Sequence, residues 1–267
     1  MLINHCHIFP EGFSVPGLAP GKGTISHLKK LMGKIGIEKA VVFATCDELL
    51  PTFAPHQNDW LVDILKKEKN FYGFATVNPK ERNAPVKLRK YLKKGLKGLK
   101  FHPPMFKVAI NDPKAKELYR VAEELGAPVL FHTGVHGWIL KEYFPILIDE
   151  VAQQYPKLPI IIEHVGGTAF FNQALAVLQN NSNCYAGITT TLREDSPWRI
   201  SDDQLGCLLK IIGADRIIYG TDFPFNDFNG IKEDIRIIDT LPLSSEEKEK
   251  IWGKNLLQLL RINQGGN

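Results

Sequence analysis

Short apolar runs alternate with longer amphipathic stretches from one end of the chain to the other. The runs are rich in β-branched residues, and this alternation predicts repeated βα units around a parallel sheet. There are eight such runs: Leu2–His5, Lys39–Phe43, Phe71–Thr76, Gly98–Phe101, Pro128–His132, Ile160–His164, Asn183–Ala186 and Arg216–Gly220. The stretches between them predict helices near residues 24–36, 57–69, 84–94, 112–125, 141–155, 168–180 and 201–213.

Eight strands with intervening helices favour a closed (β/α)8 TIM barrel, an α/β fold, over an open doubly wound sheet. The phosphate-binding signatures of the open-sheet folds are missing, since neither GxGxxG after the first strand nor GxxxxGK[ST] occurs. The length fits one barrel domain, predicted to span residues 1–267. Residues after 229 are interpreted as C-terminal helical additions, with a helix expected to start at Ser244–Glu247.

Composition excludes several classes of partner. A formal net charge of +4, from 33 Lys and Arg against 29 Asp and Glu, is too balanced to favour nucleic acid or an anionic membrane surface. No apolar run approaches the roughly 18 residues of a membrane span. The four cysteines, Cys6, Cys46, Cys184 and Cys207, lack CxxC spacing, so neither disulfides nor a structural zinc site is expected, and a reducing cytoplasm fits best. The expected partner is a small-molecule substrate, and a homo-oligomer stays open.

Polar residues end five of the apolar runs. In a TIM barrel the carboxyl ends of the strands form the active-site face. The polar residues at these ends are His5 and His7, Lys100 and His102, His132, Glu163 and His164, and Thr221 and Asp222. Five of the chain's eight histidines are in this set, so the sequence predicts that imidazoles converge at one mouth of the barrel.

The spacing of His5 and His7 is suited to binding one metal. On an extended strand, side chains two positions apart point the same way, so Cys6 between them is expected to face the opposite side and pack in the core. Adding His132, His164 and Asp222 gives a set of nitrogen and oxygen ligands. Such a set suits zinc, or manganese, iron or nickel when the site is open.

Several segments carry a resemblance to a known family. They are His5–Pro10, Gly73–Pro79, Gly98–Pro103, Glu163–Gly167 and Arg216–Pro224, together with the closing stretch Ile251–Leu260. With them, nearly the whole chain resembles the amidohydrolase superfamily, in the amidohydrolase-related branch that includes aminocarboxymuconate-semialdehyde decarboxylase and lactonases.

The resemblance implies roles for the strand-end residues. The implied ligands of the tighter metal are His5, His7, His132 and Asp222. His164 would hold the nucleophilic water or ligate a second metal. Lys100 stands where relatives in the superfamily place a carbamylated lysine that bridges two metals. Since the lysine is often unmodified in this branch, we expect one metal, most simply zinc, and a free Lys100 amine facing the substrate.

One position departs from the pattern of the family. An Asp usually stands two positions before the first histidine, whereas this chain has Ile3 there and Asn4 directly before His5. A contact that supports the metal ligands from behind is therefore either lost or supplied by Asn4.

A divalent metal lowers the pKa of a bound water to about 7, so the reaction needs no strong base. We expect Asp222 to accept a proton as water attacks a carbonyl group and to return it to the leaving group, while His164 orients the water or stabilises the oxyanion. Loops at the carboxyl ends of the strands concentrate candidate substrate contacts. These are Lys100, His102, His136 and Arg193, with Trp138, Trp198 and Phe225 as aromatic neighbours. Arg193 is expected to clamp a carboxylate.

The sequence thus predicts a metal-dependent hydrolase that acts on a small carboxylate, lactone, ester or amide. Two alternatives remain. The same site could carry out non-oxidative decarboxylation of a small aromatic or cyclic acid, or the barrel could have lost activity and serve as a small-molecule binding protein. The substrate itself depends on loop side chains, which the fold does not determine.

Overall fold

Nine parallel strands form the centre of the computed structural model, which describes residues 1–13, 18–19, 21–45 and 56–262. The strands are β1 (Leu2–Ile8), β2 (Lys39–Ala44), β3 (Phe71–Thr76), β4 (Gly98–Phe101), β5 (Val129–His132), β6 (Ile160–Glu163), β7 (Cys184–Gly187), β8 (Ile217–Ile218) and β9 (Gly220–Phe223). Every residue of β5 and β6 is buried. Such burial is expected of parallel strands, which are covered on both faces.

The strands form a nearly closed barrel, so the fold predicted from the sequence is confirmed. From β1 to β8, consecutive strands pair in parallel. β1 also pairs in parallel with β9. The eighth predicted strand is split in two at Tyr219. Before this residue Ile218 pairs with Gly187 of β7, and after it Gly220 pairs with Asn4 of β1. The split occurs because the chain changes its pairing partner at this point, which brings the last strand to the first.

Helices surround the barrel at the predicted places. They are α1 (Ile25–Ile35), α2 (Gln57–Lys67), α3 (Ala84–Lys93), α4 (Pro103–Phe106), α5 (Pro113–Leu125), α6 (Leu147–Gln154), α7 (Gly167–Asn180), α8 (Asp202–Ile212), α9 (Phe228–Thr240), α10 (Ser245–Glu249) and α11 (Asn255–Leu259). The helix expected near Ser244 is confirmed, because Ser244 and Glu247 form a reciprocal capping box at the start of α10.

The helix predicted over residues 141–155 is wrong in its first half. A short 3-10 turn covers Leu140–Glu142, and α6 begins only at Leu147. Pro145 lies between them. Proline has no backbone N–H and restricts the residue before it to extended conformations, so Phe144 and Pro145 interrupt the helix.

The core has two layers. The larger layer lies between the strands and the surrounding helices, and the smaller fills the barrel with alternate strand residues such as Phe43, Phe74 and Ile161. Three leucines of the C-terminal region, Leu256, Leu259 and Leu260, join the inner layer together with Leu2. The C-terminal additions therefore close the end of the barrel where the strands begin.

Two features bear on the predictions from composition. No helix in the described part of the chain combines the length and the apolar character that a membrane crossing requires. Cys6, Cys184 and Cys207 carry free thiols, whereas Cys46 lies outside the described residues. Cys6 is fully buried in the outer core layer, as expected, with its Sγ 3.3 Å from the Thr221 hydroxyl.

Candidate metal centre

Three side chains from the first and last strands converge at the carboxyl end of the barrel. The Nε2 atoms of His5 and His7 each lie 3.3 Å from Oδ1 of Asp222. Ligand atoms of the three residues all lie within 4.8 Å of one another. Within the described ranges of the chain, they form the one group of three or more such side chains able to hold a metal ion.

The backbone at these residues departs from regular strand geometry. Along β1, Ile3 pairs with Ala40 and Cys6 with Val42, so the strand contains one extra residue at this point. His5 and Asp222 have φ values of 59° and 55°, in the left-handed region that residues other than glycine rarely adopt. The simple alternation predicted for residues 5–7 is therefore replaced by a β-bulge, which turns His5 toward Asp222.

The donor set fits a divalent metal. Burial lowers the pKa of His5 well below its usual value and also lowers that of His7. Both imidazoles are therefore neutral near pH 7, and neutral imidazole is the form that binds a metal. Two ring nitrogens and one carboxylate oxygen lie together in a largely buried site, which suits zinc and related ions.

His132, the fourth predicted ligand, lies beside this group and outside it. Its Nε2 is 2.9 Å from the carbonyl oxygen of Gly134, and its ring stacks on His102 with centroids 4.0 Å apart. The ring of His164 is 4.8 Å away, centroid to centroid. His132 thus borders the same site, and its role as a ligand stays a prediction.

His164 has a fixed orientation. Its Nδ1 lies 2.9 Å from the carbonyl oxygen of Thr189, which can only accept, so Nδ1 carries the hydrogen and Nε2 keeps a free lone pair. Trp198 packs against the ring at a centroid distance of 4.1 Å. The tight turn expected after β6 is present, since Gly166 and Gly167 both have positive φ.

Two buried charged residues contact His5 at opposite nitrogens of its ring. Lys100 Nζ is 3.3 Å from His5 Nε2, and Glu163 Oε2 is 2.9 Å from His5 Nδ1. Burial lowers the pKa of Lys100 to about 8, and the charges of Glu163 and Asp222 oppose this shift. Burial raises the pKa of Glu163 to about 7 against the influence of Lys100. Lys100 was predicted to face the substrate; its amine lies beside His5 Nε2, the nitrogen that also faces Asp222, and its contact with a substrate stays a prediction.

Sequence reasoning assigned no role to Glu163. It also left open whether Asn4 supplies a supporting contact, and Asn4 Nδ2 donates to Glu163 Oε2 at 2.9 Å instead of reaching a ligand directly. The signal for Glu163 was its position, because an acid that ends a run of three isoleucines in β6 lies at the same edge as the other site residues.

A cavity of about 400 Å³ opens above His5, His7 and Asp222. Its lining residues are His5, His7, Phe9, Thr45, His102, Met105, His132, His136, His164, Trp198, Asp222 and Phe225. The structure therefore brings the predicted substrate contacts His102 and His136 to the site. Trp138 is not among the lining residues and stacks on Tyr143.

Arg193 does not line this cavity, and its predicted contact with the substrate stays a prediction. It lines a separate groove of about 860 Å³ that is bordered by residues of α8 and α9. Its Nε lies 3.9 Å from Oδ1 of Asp234, a buried acid that also accepts hydrogen bonds from the Tyr219 hydroxyl and Asn226 Nδ2. The guanidinium lies near this buried acid and forms a shorter ion pair, of 3.0 Å, with Asp195. The contact with Asp234 is not visible in a sequence.

Replacing Asp234 with asparagine is expected to change how stability depends on pH. Burial raises the pKa of Asp234 from its usual 3.8 to about 7, with Arg193 opposing and Asp195 reinforcing the shift. Between pH 3.8 and about pH 7, Asp234 keeps a proton in the folded state that it has released in the unfolded chain. The free energy of unfolding therefore falls as the pH rises. This contribution is fully present below pH 3.8 and is lost above about pH 7.

The melting temperature of both proteins, measured from about pH 4 to about pH 8, tests this expectation. The asparagine side chain resembles the protonated acid, so the Asp234→Asn variant should gain stability relative to the wild type as the pH rises. Melting curves that stay parallel across this range would contradict the shifted pKa.

A family model described as Amidohydrolase matches residues 35–262. Dihydroorotase of Helicobacter pylori strain HPAG1 is 28% identical over 136 residues, which is 48% of this chain and only 39% of that protein. The chain therefore matches less than half the length of this curated relative.

Solved structures show the same fold. An uncharacterized TIM-barrel protein from Bordetella bronchiseptica has a TM-score of 0.80 at 19% identity, over 98% of this chain and 99% of that chain. A dihydroxybenzoic acid decarboxylase from Polaromonas sp. JS666, with bound manganese and the inhibitor 2-nitroresorcinol, has a TM-score of 0.75 at 17% identity, over 99% and 97% of the two chains.

Proposed function

This chain belongs to the amidohydrolase family, and from that membership we propose a metal-dependent hydrolase that acts on a small carboxylate, lactone, ester or amide. The family is metal-dependent, and its members support the conclusion that the protein is an enzyme. The observation that carries the proposal is the convergence of His5, His7 and Asp222 at the base of a cavity.

His5 and His7 would hold the metal, with Asp222 and His132 completing the set. Zinc is the proposed ion, because two or three imidazole nitrogens with a carboxylate are typical of catalytic zinc sites, although manganese, iron and nickel accept similar ligands. When bound, the ion supplies Lewis acidity and an activated water.

Asp222 is the proposed proton carrier. Its Oδ1 lies at the meeting point of the two imidazoles, and the residue also lines the cavity, so its carboxylate can reach both the water and a leaving group. His164 presents the Nε2 lone pair because Nδ1 is committed to Thr189. We assign His164 the task of orienting the attacking water.

The cavity limits the substrate to a small molecule. A volume of about 400 Å³ is near the lower end of ordinary ligand pockets. Phe9, Trp198 and Phe225 offer aromatic faces that suit a flat or cyclic substrate. His102 and His136 are the proposed polar contacts, since both line the cavity.

Non-oxidative decarboxylation is the second candidate. The dihydroxybenzoic acid decarboxylase with bound manganese shares the fold over nearly its whole length, and the aromatic walls of the cavity suit an aromatic acid as well as a lactone. Asp222 would then deliver a proton to the ring carbon as carbon dioxide leaves.

A substrate screen tests both candidates. Metal-loaded protein is incubated with lactones, esters, amides and aromatic carboxylates, and acid release and carbon dioxide release are measured in parallel. Acid release that requires the metal supports the hydrolase. Carbon dioxide release establishes the decarboxylase instead, and the absence of both products across the panel contradicts the proposed activity.

We also expect one metal per chain. Within the described residues only one group of three ligands is assembled, and Lys100 lies beside His5 with a nitrogen that can remain an amine. Native mass spectrometry and elemental analysis of protein purified in the presence of zinc should give one equivalent and an unmodified Lys100. Two equivalents, or a carbamate on Lys100, would contradict this expectation.

A further inference from the structure

Glu163 is a fully buried carboxylate that contacts a metal ligand from behind. Its Oε2 lies 2.9 Å from Nδ1 of His5, the ring nitrogen on the side away from Asp222. The same oxygen accepts a hydrogen bond from Asn4 Nδ2 at 2.9 Å. The acid is therefore held between the ligand and the residue that precedes it in the chain.

The neighbouring strand leaves room for this carboxylate. Glu163 of β6 pairs with Gly187 of β7. A Cβ atom at position 187 would lie only 2.3 Å from Glu163 Oε1, so a side chain there would displace the acid. Since Gly187 is not among the glycines with positive φ, this close approach is the reason for glycine at that position.

A second contact specifies the protonation pattern of the same ring. Lys100 Nζ, 3.3 Å from His5 Nε2, acts as a donor when it is charged. Nε2 must then accept, and the hydrogen of the neutral ring must be on Nδ1. The negative charge of a carboxylate oxygen 2.9 Å from Nδ1 favours a hydrogen on that nitrogen, although the oxygen lies off the axis of the N–H bond. The contacts on both sides of the ring therefore favour one tautomer.

We propose that Glu163, held by Asn4, is the positioning residue of His5 and fixes its Nδ1–H tautomer, so that the Nε2 lone pair faces the metal site. The proposal rests on the metal centre assigned above. It adds a residue that never touches the substrate but sets the orientation and basicity of a ligand. Carboxylates in such positions typically contribute about 10- to 100-fold to metal affinity.

The tautomer can be measured without any metal. Long-range 1H–15N spectra of metal-free protein labelled at histidine nitrogens distinguish the two tautomers, and the His5→Ala variant identifies the His5 signal by its loss. We expect Nδ1–H in the wild type. A predominant Nε2–H tautomer overturns the proposal, whether or not the protein binds metal.

Metal affinity gives the second readout. Chelator competition with zinc should show binding about 10- to 100-fold weaker for Glu163→Gln, and the visible spectrum of the cobalt-substituted protein should shift as the ligand geometry changes. Asp234→Asn is the matched control, because it neutralises another buried acid that lies away from the ligands. Its affinity and spectrum should match the wild type.

Asn4→Ala is the variant to use if Glu163→Gln does not fold. It leaves the carboxylate in place but removes its anchor, so a smaller loss of affinity is expected. Wild-type affinity in a folded Glu163→Gln protein overturns the proposal. If the wild type itself binds no metal, the metal centre is wrong, and the His5 tautomer compared between the wild type and Glu163→Gln still decides the role of Glu163: an unchanged Nδ1–H population in the variant overturns the proposal.

Discussion

Replacing both His5 and His7 with alanine is expected to abolish stoichiometric metal binding. These residues provide two of the three ligand atoms that converge at the barrel mouth. Of the proposed ligands, only Asp222 and His132 would remain. His132 lies outside the group of three, and its Nε2 contacts the Gly134 carbonyl oxygen. One carboxylate and one imidazole do not make the three-ligand site that catalytic zinc requires.

Elemental analysis of the purified variant, beside the wild type, measures the effect. His136→Ala serves as the control, because it removes an imidazole from the same cavity without touching the ligand group. This control should keep its metal. Circular dichroism must show that the double variant is folded, and a folded double variant with one equivalent of metal would refute the assignment of the site.

Replacing Asp222 with asparagine is expected to lower turnover by about 10²- to 10⁴-fold, the range that general acid-base catalysis contributes. Asparagine keeps the size and part of the hydrogen bonding of Asp222 but cannot accept the proton. Because the proton transfer occurs during the reaction and not during binding, the Michaelis constant should change less than the turnover number.

Metal content must be matched in this comparison, because Asp222 is also a proposed ligand and a partial loss of metal would lower turnover as well. Asp203→Asn is a suitable control, since this acid is exposed on α8 and should leave turnover unchanged. Near-normal turnover in a metal-replete Asp222→Asn protein would refute this mechanism and move the proton transfer to His164 or to the hydroxide itself.

The sequence could predict which polar side chains lie at the carboxyl ends of the strands. In a parallel barrel every strand ends at the same face, so His5, His7 and Asp222 could be brought together from their positions alone. The bulge that turns His5 could not be foreseen, because it depends on the register between β1 and both of its neighbours.

Contacts over long sequence distances account for what was missed. Arg193 is distant in sequence from its buried partner Asp234, and no local pattern distinguishes this pairing from a substrate contact. Lys100 was placed on the correct strand, but whether its amine faces the cavity or contacts Nε2 of His5 depends on packing. The proposed role of Glu163 likewise could be inferred only from the relative positions of β1, β6 and β7, which hold Asn4 and His5, Glu163, and Gly187.

These contacts explain why an apolar residue, Ile3, can stand where the family usually has an Asp. Ile3 is fully buried in the outer core layer and offers no polar contact. The carboxylate near His5 comes instead from β6 through Glu163, with Asn4 as its anchor. Of the two outcomes left open by the sequence, Asn4 contributes, but through an acid on another strand.

The pairing of the last strand with the first also has a consequence for biosynthesis. His5 and His7 leave the ribosome before Asp222, whose strand β9 is the last of the described strands to be translated. A nascent chain on the ribosome can therefore expose the imidazoles of His5 and His7 before Asp222, the third proposed ligand, is available. With the proposed ligands, metal binding would be coupled to barrel closure, so translational intermediates should not retain the ion at the affinity of the finished protein.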